Sequence, residues 1–210
     1  MDAAWGAWCY LLAGPKPVVV DAGMPGRAEA IVAAIVRAGV KPGAVSAIVL
    51  THYDVDHSGS ARELSELVDA PVLMHALDAP FLQAPHTCPG SRRLIYRQPL
   101  PPLLRWRPSQ ADGLLADGDD VGGWRVLHCP GHTPGSLSLY RDGVAVVGDA
   151  LVFRAGGLHP NVPWLSWDHG RHLDSVRALV RVGARVVLPG HDAPCTDPNA
   201  MEDLASRLGP

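Results

Sequence analysis

The chain has 210 residues, of which 47% are hydrophobic, and a formal net charge of −3. This length and composition favour one soluble globular domain with a sizeable core. The small net charge gives no overall electrostatic case for binding nucleic acid or an anionic membrane surface, so neither is an expected partner.

The N-terminal stretch MDAAWGAWCYLLAG argues against a secretion signal, because it has an acidic residue, no basic region and only a brief apolar segment. No apolar run is long enough to span a membrane. The cysteines lack C-x-x-C spacing, and we expect them to be reduced and to act as small buried hydrophobic residues. A cytoplasmic protein is therefore expected. The cysteines are Cys9, Cys88, Cys129 and Cys195.

The first part of the chain alternates short β-rich runs with helical patterns. Gly14 and Pro15 separate two apolar runs, which predicts a hairpin feeding a strand that ends at Asp21. Apolar residues at helical spacing follow and stop at Gly39. The predicted elements after the hairpin are a helix over 26–39, a buried strand over 47–50, a helix over 59–70 and a strand over 71–76.

The segment 80–111 has a different composition, with seven prolines, five arginines and no acidic residue. A long irregular insert in a compact domain is usually a functional lid or a disordered loop, and we expect a lid. Arg92, Arg93 and Arg97 are candidates for binding a carboxylate or phosphate of a small-molecule substrate. The alternative is a solvated basic loop.

The last part of the chain returns to the alternation of strands and helices, which predicts sheets covered on their outer faces by helices. The segment 153–168 is expected to be a loop beside the site, with Trp164 and Trp167 as a candidate apolar wall. The predicted elements are strands over 124–129, 136–141, 143–149 and 185–188, and helices over 169–184 and 198–208.

Side chains of the metal-binding type follow four of the predicted strands. Because strand ends in one sheet system lie side by side, these residues can converge although they are distant in sequence. Glycines at 131, 148 and 190 precede three of them, where the backbone needs room to turn. The candidate ligands are His52, Asp56, His57, His132, Asp149 and His191, whereas His75, His86, His128, His159, His169 and His172 are expected to be non-ligands.

Four ordered motifs, THYDVDHSG, HCPGHTPGS, VVGDA and LPGH, resemble the metallo-β-lactamase superfamily, and the motifs are also similar to those of glyoxalase II. The resemblance covers nearly the whole chain. It implies a four-layer αββα sandwich of two mixed sheets with a dinuclear metal site at one edge. Position by position, it implies that His52, Asp54 and His132 hold the first metal, that Asp56, His57 and His191 hold the second, and that Asp149 bridges both.

Asp54 departs from the family's usual H-x-H-x-D-H pattern. A carboxylate oxygen there makes the ligand set harder, so iron and manganese gain relative to zinc, which we still expect. The variant is similar to H-x-E-x-D-H of the flavodiiron branch, although no flavin domain fits this chain. The competing interpretation is that Asp54 caps the following helix or bonds a loop amide.

The metals and the ligand set predict a hydrolase. A hydroxide between two cations would attack an ester, thioester, lactone or amide carbonyl of a small molecule. Asp56 would orient the nucleophile and assist proton transfer, or serve only as a ligand. Two alternatives stay open. One is an iron-dependent oxidoreductase, persulfide-dioxygenase-like or oxygen-reducing diiron, and the other is a non-catalytic metal-binding scaffold.

Overall fold

Two five-stranded sheets form the centre of the protein in a computed structural model that describes residues 6–84 and 107–209. In the first sheet the first two strands pair antiparallel, and the remaining neighbours pair parallel. Its strands, in spatial order, are β1 (Tyr10–Leu12), β2 (Val18–Val20), β3 (Ala47–Val49), β4 (Val72–His75) and β5 (Gly113–Leu115).

The second sheet is also mixed, because its edge strand β12 (Val186–Pro189) pairs parallel with its neighbour while the other pairs are antiparallel. A separate two-stranded hairpin follows the second sheet's central strands in the chain. From β12 inward, the second sheet contains β9 (Val144–Gly148), β8 (Leu137–Arg141), β7 (Trp124–His128) and β6 (Asp120–Val121), and the hairpin contains β10 (Leu151–Arg154) and β11 (Gly157–Pro160).

Helices cover the outer faces of both sheets. Within residues 6–84 and 107–209, no helix is both long and apolar enough to cross a bilayer. The helices are α1 (Ala28–Arg37), α2 (Val55–Ser58) and α3 (Ala61–Val68) near the first sheet, and α4 (His169–Val182) and α5 (Ala200–Leu208) near the second, with 3-10 turns at Pro42–Ala44, Ala79–Leu82 and Pro163–Leu165.

Alternating strand side chains divide the core into three clusters. In β3, Ile48 packs with α1 and α3, whereas Ala47 and Val49 point to the opposite face and pack between the sheets. In β9, Val146 lies between the sheets, while its neighbours pack towards α4 and α5. This follows from the two-residue period of a strand, which sends successive side chains to opposite faces. The expected four-layer αββα sandwich is confirmed.

The predicted helices and strands are present, most with shorter bounds and the one predicted over 185–188 shifted by one residue, but some elements were missed. The helix α2 lies inside the stretch that carries the densest set of candidate ligands. The expectation of a loop over 153–168 was wrong for its first part, which belongs to the β10–β11 hairpin. Ala155 and Gly156 both have positive φ, 50° and 77°, which suits a tight hairpin turn.

The expected lid falls largely outside the described residues, because only the two ends of 80–111 are described. Arg92, Arg93 and Arg97 therefore stay predictions, as does the lid itself. Of the cysteines, Cys88 is also outside, while Cys9, Cys129 and Cys195 are buried as expected.

Replacing Ile48 by Ala should lower the free energy of unfolding by about 2–5 kcal/mol, because it removes a fully buried side chain from a central strand. Urea unfolding followed by circular dichroism measures the change. Val36→Ala, at a position that is 55% exposed on α1, is the matched control and should change stability by less than about 0.5 kcal/mol. Equal losses in the two variants would contradict the layer assignment.

Candidate metal centre

The six candidate ligands other than Asp54 meet at one edge of the sandwich. They come from the residues after β3, β7, β9 and β12, so one strand of the first sheet and three of the second contribute. They form two groups of three, and within each group one donor atom per residue lies within 4.8 Å of the others. The first group is His52, His132 and Asp149, and the second is Asp56, His57 and His191.

Asp149 lies between the two groups and turns one carboxylate oxygen towards each. Its Oδ2 is 3.4 Å from Nε2 of His132 in the first group. Its Oδ1 is 3.2 Å from Nε2 of His57 and 3.5 Å from Nε2 of His191 in the second. One carboxylate therefore faces donor atoms of both groups.

Asp54 lies beside the first group, although it is not one of the six. Its Oδ2 is 3.4 Å from Nε2 of His52 and 3.3 Å from Nε2 of His132. Asp54 occupies the residue before α2, but its side chain makes no capping hydrogen bond there. The structure therefore does not show the helix cap, and the role of Asp54 as a ligand stays a prediction.

Asp21 is a site residue that the sequence analysis did not assign. Its Oδ2 accepts a hydrogen bond from Nδ1 of His57 at 2.8 Å. Its carboxylate also accepts the Thr51 hydroxyl proton, at 2.9 and 3.0 Å, and the Thr51 backbone N–H at 2.7 Å. Because the Thr51 hydroxyl proton is used in this way, its Oγ1 accepts from Nδ1 of His52, 3.0 Å away. In their neutral forms both histidines therefore carry the proton on Nδ1 and would present an Nε2 lone pair to a cation at the centre.

The backbone at Asp21 is itself unusual, since its φ of 62° is in the left-handed region that non-glycine residues seldom adopt. Strained residues of this kind cluster at functional sites. An acidic residue at the end of a buried strand was visible in the sequence, but its contacts with residues about thirty positions later were not.

Two of the glycines predicted to give the ligands room do so. A Cβ on Gly190 would lie 2.5 Å from Oδ1 of Asp149 and 2.7 Å from Cε1 of His57. A Cβ on Gly131 would lie 2.2 Å from Cα of His172, and the φ of Gly131 is 137°. Side chains at either position would displace the segments that carry the candidate ligands.

The four charged residues around the second group perturb one another strongly. Burial raises the pKa of Asp149, but His57 and His132 hold it well below its ordinary value. Burial lowers the pKa of His57, but the neighbouring carboxylates raise it well above the usual range. The carboxylates of Asp149 and Asp56, whose oxygens lie 3.5 and 3.2 Å from Nε2 of His191, raise the pKa of His191 to about 10. Burial raises the pKa of Asp56, but His57 and His191 lower it to about 2.

The donor set fits divalent cations. The Oδ1 of Asp149 is buried and, among the residues that the structure describes, accepts no hydrogen bond of good geometry. Nε2 of His57 and Nε2 of His191 lie 3.2 and 3.5 Å from it, and the other ring nitrogen of His57 is already bonded to Asp21. Carboxylate oxygens and imidazole nitrogens pointing at a common centre repel one another unless protons or cations lie between them. Oxygen and nitrogen donors of this kind suit zinc, manganese and iron.

The histidines expected to be non-ligands are outside both groups where the structure describes them. The Nε2 of His128 donates to the Pro134 carbonyl at 3.0 Å, and its ring stacks on His75 with the ring centroids 3.9 Å apart. His172 is buried beside Gly131, and burial lowers its pKa to about 4. The described non-ligands are His75, His128, His159, His169 and His172, whereas His86 lies outside the described residues.

The segment with the candidate apolar wall, Trp164 and Trp167, is hydrogen-bonded to the backbone of a first-group residue. The backbone N–H of Trp167 donates to the His132 carbonyl at 3.0 Å, and Trp164 is 72% exposed. Their contact with a substrate stays a prediction. Asn161, which sequence reasoning missed, is buried with its Nδ2 3.5 Å from Oδ2 of Asp149.

Comparisons with known proteins indicate the family of this chain. The family model described as the metallo-beta-lactamase superfamily matches residues 3–191. The probable metallo-hydrolase YflN of Bacillus subtilis (strain 168) is 30% identical, over 91% of this chain and 82% of that protein.

Two similar solved structures are also informative. The BLEG-1 B3 metallo-beta-lactamase has a TM-score of 0.74 and 25% identity, covering 97% of this chain and 95% of its own. TTHA1623 in a di-iron-bound form has a TM-score of 0.71 and 26% identity, covering 100% of this chain and 96% of its own.

Metal binding should release protons and strengthen as pH rises. In the metal-free protein the pKa of His191 is about 10, above its ordinary 6.5, so this imidazole is protonated at neutral pH and must lose its proton to bind a cation. We expect affinity to rise up to about tenfold per pH unit for each proton released. Calorimetric titration with Zn²⁺ in buffers of different ionisation enthalpy measures the proton release.

The metal-free protein should show the opposite trend in stability. The folded-state pKa of His191 lies above the unfolded value, so its stabilising contribution is complete below pH 6.5 and is lost as pH rises towards about 10.

A metal affinity that does not change between pH 6.5 and pH 9 would contradict the assignment of His191 as a ligand.

Proposed function

The chain belongs to the metallo-β-lactamase superfamily, and we propose that it is a hydrolase that uses two divalent cations to cleave an ester, thioester, lactone or amide bond of a small molecule. The observation that carries this proposal is the position of Asp149, whose two oxygens face different groups of donors. His52, Asp54 and His132 would hold one cation, and Asp56, His57 and His191 the other.

Two cations at this centre would supply Lewis acidity towards a carbonyl oxygen and would lower the pKa of a water ligand. The protein's own residues would provide the rest. Asp21 keeps His57 in the tautomer that binds a cation by a direct hydrogen bond, and it does the same for His52 through Thr51. Burial of both imidazoles, each at most 1% exposed, keeps bulk water away from that side of the centre.

Access to the centre is proposed on the side of the second group. The Asp56 side chain is 29% exposed and that of His191 is 33% exposed, whereas that of Asp149 is 8% exposed. Asp56 is ionised at neutral pH, since its pKa is about 2, so it would bind a cation and orient a nucleophilic water by accepting its hydrogen bond, although so low a pKa makes it a weak base. The proposed substrate is a small molecule, and an anionic group on it would suit the arginines of the segment 80–111.

Zinc is the metal that we propose, with iron or manganese as alternatives because of Asp54. An iron-dependent oxidoreductase is the second candidate function. It is favoured by the carboxylate of Asp54 beside His52 and His132, since oxygen donors suit iron better than imidazole-only sets do. The di-iron-bound form of the similar TTHA1623 protein supports this alternative. We also propose that the protein is cytoplasmic.

Asp149→Ala should lose most of the bound metal and most of the hydrolytic activity, because one side chain serves both groups. The loss should exceed the roughly 10–100-fold that removal of an outer-shell partner costs. Elemental analysis of protein purified without added metal, together with assays on ester, thioester, lactone and β-lactam substrates, tests this. Asp174→Ala, at a side chain that is 78% exposed on α4, is the matched control.

The metal analysis also separates the two candidate functions. Two zinc or manganese ions per chain with hydrolysis of one bond class would support the hydrolase. Iron with oxygen consumption and no hydrolysis would support the oxidoreductase, and near-full metal content in the Asp149→Ala variant would contradict the proposed centre.

Asp54→His should shift metal preference towards zinc over iron and manganese, because it replaces an anionic oxygen by a neutral nitrogen. The site would also carry one negative charge fewer, so the pKa of the rising limb of the pH–rate profile should fall. Competitive loading with equimolar metals measures the preference. Asp54→Asn, which removes the charge at nearly constant size, is the control, and an unchanged preference in Asp54→His would remove Asp54 from the ligand set.

A further inference from the structure

A fully buried carboxylate, Asp78, lies outside the candidate ligands and has no role in the proposed reaction. It follows β4 and precedes the 3-10 turn at Ala79–Leu82, and its side chain is completely inaccessible to solvent. An ionisable group so deeply buried is costly unless it is hydrogen-bonded, so its partners indicate what it does.

The Asp78 carboxylate is bonded to the turn that carries His132. Its Oδ2 accepts from the Thr133 hydroxyl at 2.6 Å, and its Oδ1 accepts from the Gly135 backbone N–H at 2.7 Å. The turn is also bonded internally, because the Thr133 backbone N–H donates to Oγ of Ser136 at 3.0 Å. Asp78, which follows a strand of the first sheet, is thus hydrogen-bonded to the turn that contains Thr133 and Gly135.

The same carboxylate is bonded to the loop that carries the other first-group residues. The backbone N–H of Tyr53 donates to Asp78, and Tyr53 lies between His52 and Asp54 in the sequence. One carboxylate therefore connects the residue after His52 with the residue after His132. Those loops belong to different sheets, and apart from Asp78 a backbone hydrogen bond also joins them, from the Leu137 N–H to the Thr51 carbonyl at 2.8 Å.

The space around Asp78 is closed on the side of Gly135. A Cβ at Gly135 would lie 2.8 Å from Cγ and Oδ1 of Asp78, closer than such contacts allow. Glycine at this position lets the backbone N–H approach the carboxylate, and a larger residue would separate the two loops.

From these contacts we infer that Asp78 is a positioning residue, which holds His52, Asp54 and His132 at the separation that the first cation requires. The inference rests on the proposed two-cation centre. Asp56, His57 and His191 are not among the bonded partners of Asp78 in the described part of the chain, so loss of Asp78 should affect the first group selectively.

The test uses Co²⁺ as a spectroscopic probe in two backgrounds that isolate the groups. His191→Ala leaves the first group intact, and His132→Ala leaves the second intact. Adding Asp78→Ala should weaken Co²⁺ binding about 10–100-fold in the His191→Ala background, as for other groups that orient ligands. It should leave binding unchanged in the His132→Ala background. Titrations at pH 8 keep Asp78 ionised, since burial raises its pKa to about 6.

Further variants separate positioning from a general loss of stability. Asp78→Asn keeps one carbonyl acceptor for the Gly135 N–H and should restore part of the affinity. Gly135→Ala should reproduce the selective loss while retaining Asp78. Asp112→Ala is the control. It removes a carboxylate that accepts a hydrogen bond from the backbone N–H of Val72, at the start of β4, at 2.8 Å. It should leave the Co²⁺ affinity unchanged in both backgrounds.

A readout without metal completes the experiment. Amide hydrogen exchange at Gly135 in the metal-free protein should accelerate in Asp78→Ala and remain slow in Asp112→Ala. Equal loss of Co²⁺ in both backgrounds, or no loss in either, would overturn the inference. Fewer than two Co²⁺ per wild-type chain would instead overturn the proposed function, while the effect of Asp78→Ala in the His191→Ala background would still decide the role of Asp78.

Discussion

The carboxylate of Asp21 is the interaction on which the rest of the centre depends. It accepts hydrogen bonds from His57 and from Thr51, and through Thr51 it also fixes the ring of His52. These histidines belong to different donor groups. One residue after β2 therefore sets the tautomer of one histidine in each group and connects β2, β3 and α2. The left-handed backbone of Asp21 is maintained because these buried bonds depend on its position.

The density of charge around Asp149 couples metal binding to the stability of the fold. Asp21, Asp54 and Asp149 are all buried within a small volume, where ionised carboxylates are unfavourable without positive partners. In the metal-free protein, protons on His57 and His191 supply that positive charge, as their raised pKa values indicate. Cations would replace those protons, so their binding free energy would add to the stability of the fold.

Both sheets contribute candidate ligands to the centre. β3 of the first sheet delivers the dense stretch that begins at His52, while strands of the second sheet deliver His132, Asp149 and His191. A site assembled across two layers requires links between them. Asp78 is one such link, and the stacked rings of His75 and His128, at the ends of β4 and β7, are another.

The sequence by itself determined most of the element order and the six side chains that converge. Apolar periodicity is a local property, so the strand at Ala47–Val49 and the helix at Ala28–Arg37 were readable from their own residues. The short helix α2 and the β10–β11 hairpin were missed, because their patterns are brief.

Only the tertiary structure decided which carboxylates support the ligands and which face them. Asp21 and Asp78 resemble ordinary strand-end and turn aspartates in sequence, yet they bond to residues 30 to 57 positions later. For Asp54 the sequence predicted a ligand, with a cap or a loop-amide bond as the alternative, and only the structure shows its Oδ2 3.4 and 3.3 Å from Nε2 of His52 and His132. Hydrogen bonds between distant segments depend on how the sheets pack, and no local pattern encodes that distance.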